Sequence, residues 1–164
     1  MHNGLTENLY MYMHISVKSR VANVLAPLPC ACANLRRAAR AISRLYNREL
    51  RSSHIEITQF TLLMTLDRAG DVSQGRLGKL LALDSTSLTR MLQLLKNKGW
   101  IRDKEGADRR IRIIGLTPAG RTKLKQAMPH WKRAQDRIEE AIGEPAMNQM
   151  RTMLERVASM TAEE

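Results

Sequence analysis

Residues 83–120 constrain this chain more than any other stretch: LDSTSLTRMLQLLKNKGWIRDKEGADRRIRIIGLTPAG. Asp84 is an N-cap residue, and Leu88, Met91, Leu92 and Leu95 fall at i, i+3, i+4 and i+7, the buried stripe of a helix. Gly99 ends it. A strand follows over residues 100–104, then a charged turn holding Asp108, Arg109 and Arg110, and a second strand over residues 110–116. In that strand Ile111, Ile113 and, less cleanly, Ile114 alternate with Arg110, Arg112 and Gly115. Gly106 is expected to give the turn a permissive backbone. Thr117 with Pro118 is an N-cap followed by proline at the first helical position. A helix, a basic β-hairpin and a second helix start in this order form the plan of a winged helix.

The opposite face of the 84–97 helix carries Ser85, Thr86, Ser87, Thr89, Arg90 and Gln93, and it ends at Asn97. Short hydroxyls with one Arg at the N-terminal end suit a helix that meets base edges in a major groove. On its own such a face is an ordinary solvated one, and the adjoining hairpin is what points to DNA. Arg102, Lys104, Arg109, Arg110 and Arg112 crowd onto it. Like charges so close repel unless an anion arrives, and phosphate is the natural one. Asp108, two residues before Arg110, is placed to orient that guanidinium.

The rest of the chain reads as helices around this unit. In residues 30–51, Leu35, Ala38, Ala39, Ile42, Leu45, Tyr46 and Leu50 recur at helical spacing, with arginines on the remaining faces. Residues 57–69 form a second helix, with Thr58 as expected N-cap and Gly70 as its stop. Ser73 caps a short third helix whose buried side is expected to be Leu77, Leu80 and Leu81. The helix opened by Thr117 runs to Ile142 across Pro129 and ends at Gly143. Pro145 opens a last helix with an apolar stripe of Met147, Met150, Met153, Leu154, Val157 and Met160. Little of its own domain is left for that stripe to cover, so a dimer interface with the first helix and the 117–142 helix is expected. The domains are then a flexible arm over 1–29, a first dimerisation helix over 30–56, the winged region over 57–120, and C-terminal dimerisation helices over 121–164. The fold class is mainly α (α+β), a winged helix-turn-helix with N- and C-terminal dimerisation helices.

Charge follows this division. The formal net charge is +11, which favours polyanions, nucleic acid first among them. Residues 57–120 hold eleven basic and six acidic side chains and residues 30–56 hold six and two, whereas residues 121–164 are nearly balanced at eight and seven. No run approaches the ~18–20 apolar residues a membrane span needs, and no secretory leader pattern opens the chain. The chain reads as cytoplasmic, with Cys30 and Cys32 free thiols in a reducing compartment. His2, His14, His54 and His130 are scattered without zinc spacing. No glycine-rich phosphate loop, nucleophile elbow or paired-carboxylate site occurs. No catalytic residue, metal or cofactor is expected, and the chain does not read as an enzyme.

Beyond these readings, the chain resembles the MarR family of winged helix-turn-helix regulators from about Cys30 to its end. The resemblance is carried by Thr58-Gln59-Phe60, Leu77 with Leu80-Leu81, Leu83-Asp84, Leu88-Thr89-Arg90, Leu95 with Lys98-Gly99, Asp108-Arg109-Arg110, and Leu116-Thr117-Pro118-Ala119-Gly120. It implies a homodimer gripping one pseudo-palindromic operator in double-stranded DNA, with the fourth helix in the major groove and Arg110 at phosphate or minor groove. Ser87 stands where the family commonly has Thr, and Leu94 where it commonly has Arg, which leaves base preference open.

The resemblance also implies a repressor released by a small aromatic or phenolic effector. Arg36, Arg40, Arg44 and Tyr46 are the candidate ligand residues, since an Arg beside an aromatic ring suits a planar anion. The run Cys32-Ala33-Asn34-Leu35, with Arg40 and Tyr46, resembles the hydroperoxide-sensing branch. This makes a thiol-based oxidant sensor on the same scaffold the alternative, with Cys30 and Cys32 as the redox candidates. Ile57 stands where that branch has a second Tyr. A different class would be a basic module binding nucleic acid or protein without sequence preference.

Overall fold

The computed structural model describes residues 29–106, 108 and 111–160. The expected arm, apart from Pro29, lies outside the described residues, as do Arg109 and Arg110. The chain divides into two units, Met1–Arg40 and Ala41–Glu164, and all packing below lies within the second. The elements are α1 (Ala31–Leu50), a 3-10 turn (Arg51–Ser53), α2 (Ile57–Ala69), β1 (Val72–Ser73), α3 (Gln74–Leu81), α4 (Ser85–Asn97), β2 (Ile101–Glu105), β3 (Arg112–Leu116), α5 (Pro118–Ile142) and α6 (Glu144–Ser159). The fold is mostly helical with one small antiparallel sheet, ordered β1-β3-β2.

Helix boundaries follow local chemistry. The Asp84 carboxylate accepts the backbone N–H of Ser87 at 2.9 Å, starting α4. Ser73 accepts from Arg76 N–H at 3.3 Å to start α3. Thr117 accepts from Gly120 N–H at 3.0 Å to start α5, with Pro118 behind it. These side chains satisfy N–H groups that a helix start leaves open. Pro129 is carried inside a continuous α5, and Gly143 ends it at φ +85°. The start of α2 differs from expectation. Its N-cap is Glu56, not Thr58: Ile57 N–H donates to Asn47 Oδ1 at 2.7 Å, and Glu56 N–H to Gln59 Oε1 at 3.5 Å. A side chain ten residues upstream does what Thr58 was expected to do.

The core gathers Leu50, Phe60, Leu62, Leu63, Leu66, Leu77, Leu88, Leu95 and Ile114, all below 2 % exposed. Each such side chain contributes roughly 1.5–3 kcal/mol relative to exposure. Phe60 of α2 stacks on Trp131 of α5, with ring centroids 5.8 Å apart. Leu80, expected inside, is 52 % exposed. Gly78 is buried in α3 instead, and a Cβ there would stand 3.4 Å from Leu88.

The strand phase also differs. Ile101 pairs with Leu116 and Asp103 with Ile114. Ile101, Ile114 and Leu116 are buried with Val72, whereas Ile111 is exposed and Ile113 half-buried. The inward face therefore carries Arg112, Ile114 and Leu116. The tip of the hairpin extends past the core, so Ile111 has nothing to cover it. Gly106 does not use a left-handed backbone. It admits Ile111 instead, whose carbonyl accepts Gly106 N–H at 2.8 Å and would lie 3.2 Å from a Cβ.

Candidate nucleic-acid interface

The capped start of α4 fixes which side chains face outward. With Leu88, Leu92 and Leu95 turned into the core, Ser85, Thr86, Ser87, Thr89, Arg90 and Gln93 are all exposed. Thr89 Oγ1 accepts from Gln74 Nε2 at 3.2 Å, tying α3 to α4 across the turn. Gln93 Nε2 donates to Asn97 Oδ1 at 2.8 Å. The Arg90 guanidinium makes no hydrogen bond or ion pair with any described residue. Its five donors are open to a partner such as a guanine edge or a phosphate.

The hairpin beside it is anchored at its base. Thr117 Oγ1 donates to the Gly99 carbonyl at 2.6 Å, and Thr117 N–H donates to the Trp100 carbonyl at 3.1 Å. Gly120 is required here, since a Cβ would lie 2.0 Å from the Trp100 carbonyl oxygen. The ammonium groups of Lys98 and Lys123 lie over the Trp100 ring, 4.6 and 5.3 Å from its centroid.

The cations of the two strands are not left to repel one another. Arg102 and Lys104 both meet the Asp71 carboxylate, at 3.0 and 3.1 Å. Lys96, at the end of α4, meets Asp103 at 2.8 Å, and Arg112 meets the other oxygen of Asp103 at 3.5 Å. The cations hold both carboxyls below the usual aspartate range, Lys104 and then Arg102 by hydrogen bonding at Asp71, and Lys96 first at Asp103. The expected phosphate requirement of this cluster is therefore met internally for Arg102, Lys104 and Arg112. Sequence reasoning missed Asp71, Asp103 and Lys96. Residues 102 and 104 share a strand face by parity, which was readable, but Asp71 reaches them only through the two-residue pairing of β1 with β3. Asp108 is exposed in the turn, where its carbonyl accepts Ile111 N–H at 2.9 Å. Its partnership with Arg110 lies outside the described residues, as do the roles expected of Arg109 and Arg110.

The candidate effector residues separate. A cavity of about 630 Å³ is lined by Arg44, Arg48, Arg51, His54 and Lys98, with Asn47, Ile55, Gln59 and one acid, Glu56. Arg44 alone of the four candidates lines it. Tyr46 is half-buried and its hydroxyl donates to Gln135 of α5. Burial, then the Glu139 charge, raises its pKa above the usual phenol value. Arg36 and Arg40 are exposed on the first turns of α1, in the other unit. Cys30 and Cys32 are exposed free thiols, Cys30 just before α1 and Cys32 in its first turn. On α6, Met147 is buried, whereas Met153, Leu154 and Val157, with Met160 at the C-cap, are 45–77 % exposed. No helix among the described residues is long and apolar enough to cross a membrane.

This geometry has close counterparts. The MarR family model matches residues 55–111, from the start of α2 to the hairpin turn. The multiple antibiotic resistance protein MarR of Salmonella typhimurium is 38 % identical over 98 residues, covering 59 % of this chain and 67 % of that protein. The transcriptional regulator MosR of M. tuberculosis, solved in complex with DNA, superposes with a TM-score of 0.71 at 32 % identity, over 80 % of this chain and 97 % of that one. The transcriptional repressor CouR, bound to a 23-mer DNA duplex, matches in fold with a TM-score of 0.72 at 24 % identity, over 79 % and 92 % of the two chains. The capped α4, the anchored hairpin and these relatives agree, and the chain belongs to the MarR family of transcriptional regulators, which are not enzymes.

Proposed function

We propose that the chain is a cytoplasmic, homodimeric, sequence-specific DNA-binding repressor. The observation that carries this reading is the outward row of α4, where Arg90 stands uncommitted among Ser85, Thr86, Ser87, Thr89 and Gln93 beside an anchored basic hairpin. The relation to MosR, solved with DNA, supports it. Residues 57–120 are the reading head, with α4 in the major groove and Arg109 and Arg110 at the adjoining backbone or minor groove, Asp108 supporting the wing. Residues 30–56 and 121–164 supply the dimer contacts, for which the exposed stripe Met153, Leu154, Val157 and Met160 is suited. Two reading helices then sit about one turn of DNA apart, ~34–36 Å, on a pseudo-palindrome.

Gel shifts across unrelated duplexes at fixed salt test the reading. One favoured sequence bound by a dimer is expected, whereas uniform affinity would mark a non-specific basic module. For release, we favour a small aromatic or phenolic carboxylate. The cavity beside Arg44, Arg48 and Arg51 supports an anionic ligand. Arg44→Ala should weaken release by such a compound, and equal release from wild type and variant would remove Arg44 from the role.

A second reading, oxidant sensing by Cys32, is supported by the exposure of both thiols at the start of α1. Peroxide should then release DNA from wild type but not from Cys32→Ser. An equal response from both ends that reading.

A further inference from the structure

Resting on the DNA-binding reading, we propose that Asp71 is a specificity-determining residue: by occupying Arg102 and Lys104 it withholds two wing cations from indiscriminate phosphate contact. Discrimination between sequences then rests on the polar row of α4.

Three observations carry this. First, Arg102 and Lys104 lie on one face of β2, the face of Gly115 and Ile113 across the ladder, and Asp71 lies over that face. Arg102 Nη2 donates to both carboxylate oxygens at 3.0 Å, and Lys104 Nζ reaches one of them at 3.1 Å. Second, the seat for this carboxylate is built into the sheet. A Cβ at Gly115 would lie 2.0 Å from Asp71 Oδ1, so any larger residue at position 115 would displace the carboxylate. Third, the pairs are exposed, with side-chain accessibilities of 46, 58 and 32 % for Arg102, Lys104 and Asp71. Exposed pairs add little to stability. Their larger consequence is electrostatic and local: two positive charges two residues apart are tethered to the sheet by an anion that also repels phosphate.

On the opposite face, Asp103 treats Lys96 and Arg112 in the same way. Every strand cation in the described hairpin is thus paired within the protein. A wing meant to gain affinity from its strands would not carry these acids. The arrangement suits one that leaves its strands electrically quiet and limits phosphate contact to other positions.

The test compares wild type with Asp71→Asn on a duplex selected for binding and on a scrambled duplex of equal composition, across a salt series. Each cation released to a phosphate should steepen the log–log salt slope by about 0.9. That corresponds to about eightfold more tightening per tenfold dilution of salt. Asp71→Asn should therefore bind the scrambled duplex several-fold tighter at low salt, with a slope steeper by about 0.9–1.8, and discriminate less. Asp71→Glu, keeping the charge, should restore the wild-type slope. Adding Arg102→Gln and Lys104→Gln to Asp71→Asn, which removes the released cations without baring the carboxylate, should return scrambled binding and slope to the wild-type values. A slope unchanged in Asp71→Asn, or lowered below wild type by about 1.8 in the triple variant, overturns the inference while DNA binding stands. Wild type that prefers neither duplex overturns both.

Discussion

Two glycines in helices of this chain should respond oppositely to the same substitution. Gly120→Ala places a methyl carbon 2.0 Å from the Trp100 carbonyl oxygen and 2.9 Å from its carbon, where an ordinary C···O approach is about 3.3–3.6 Å. The first turn of α5 must retreat by more than 1 Å (about 1.3 Å on those contact distances). Thr117 holds it in place by donating to the Trp100 and Gly99 carbonyls, while its hydroxyl caps Gly120 N–H. Losing a backbone bond costs about 0.5–1.5 kcal/mol, and losing a Thr cap about 0.5–2 kcal/mol. The helical preference for Ala offsets up to about 1 kcal/mol. A net destabilisation of about 1 kcal/mol, and at most about 2.5 kcal/mol, remains. Gly75 of α3 has nothing within 4 Å of its added Cβ, so Gly75→Ala should stabilise by up to about 1 kcal/mol. Urea denaturation at one fixed protein concentration reads both, and the midpoints should move in opposite directions. A Gly120→Ala protein as stable as wild type would refute the claim that α5 is locked onto the base of the wing.

Other substitutions separate core, reading face and cap. Leu95, 0 % exposed, should cost about 2–5 kcal/mol as Leu95→Ala in the same denaturation assay. Arg90→Ala should leave the urea midpoint unmoved and weaken binding to a selected duplex by about 1–3 kcal/mol, read by titration at fixed salt. The Asp84 carboxyl lies below its usual range because it accepts from the Ser87 side chain and then its backbone N–H. Its stabilisation is thus fully present above the unfolded pKa of about 3.9 and is lost as pH falls through the lower folded value. Asp84→Asn, which caps without titrating, should flatten acid unfolding relative to wild type, as followed by circular dichroism below pH 5 (roughly one unit above that pKa).

Much of this was legible because it is local. Ser73, Asp84 and Thr117 cap the helices they precede in sequence, and Leu88, Leu92 and Leu95 are spaced by the helix they bury. What escaped depends on distant chain. Asn47 and Gln59 satisfy the start of α2 and displace Thr58 from its expected role. β1 is two residues long, too short for any period to show, yet it delivers Asp71 to Arg102 and Lys104. Ile111 has the hydrophobicity of a core residue but lies where the hairpin has outrun the core, and Leu80 turns outward because Gly78 takes the packed side of α3. Tyr46 was grouped with the arginines by proximity in sequence, whereas its hydroxyl is committed to Gln135, 89 residues on.

Selecting bound duplexes from a random pool with the purified full chain measures the main proposition without prior choice of operator. The account predicts enrichment of an inverted repeat with half-site centres about 10–10.5 base pairs apart, and relaxed preference at one position of each half-site in Arg90→Ala. A pool that emerges unenriched, or enriched for a single unrepeated site bound by one copy of the chain, would contradict it.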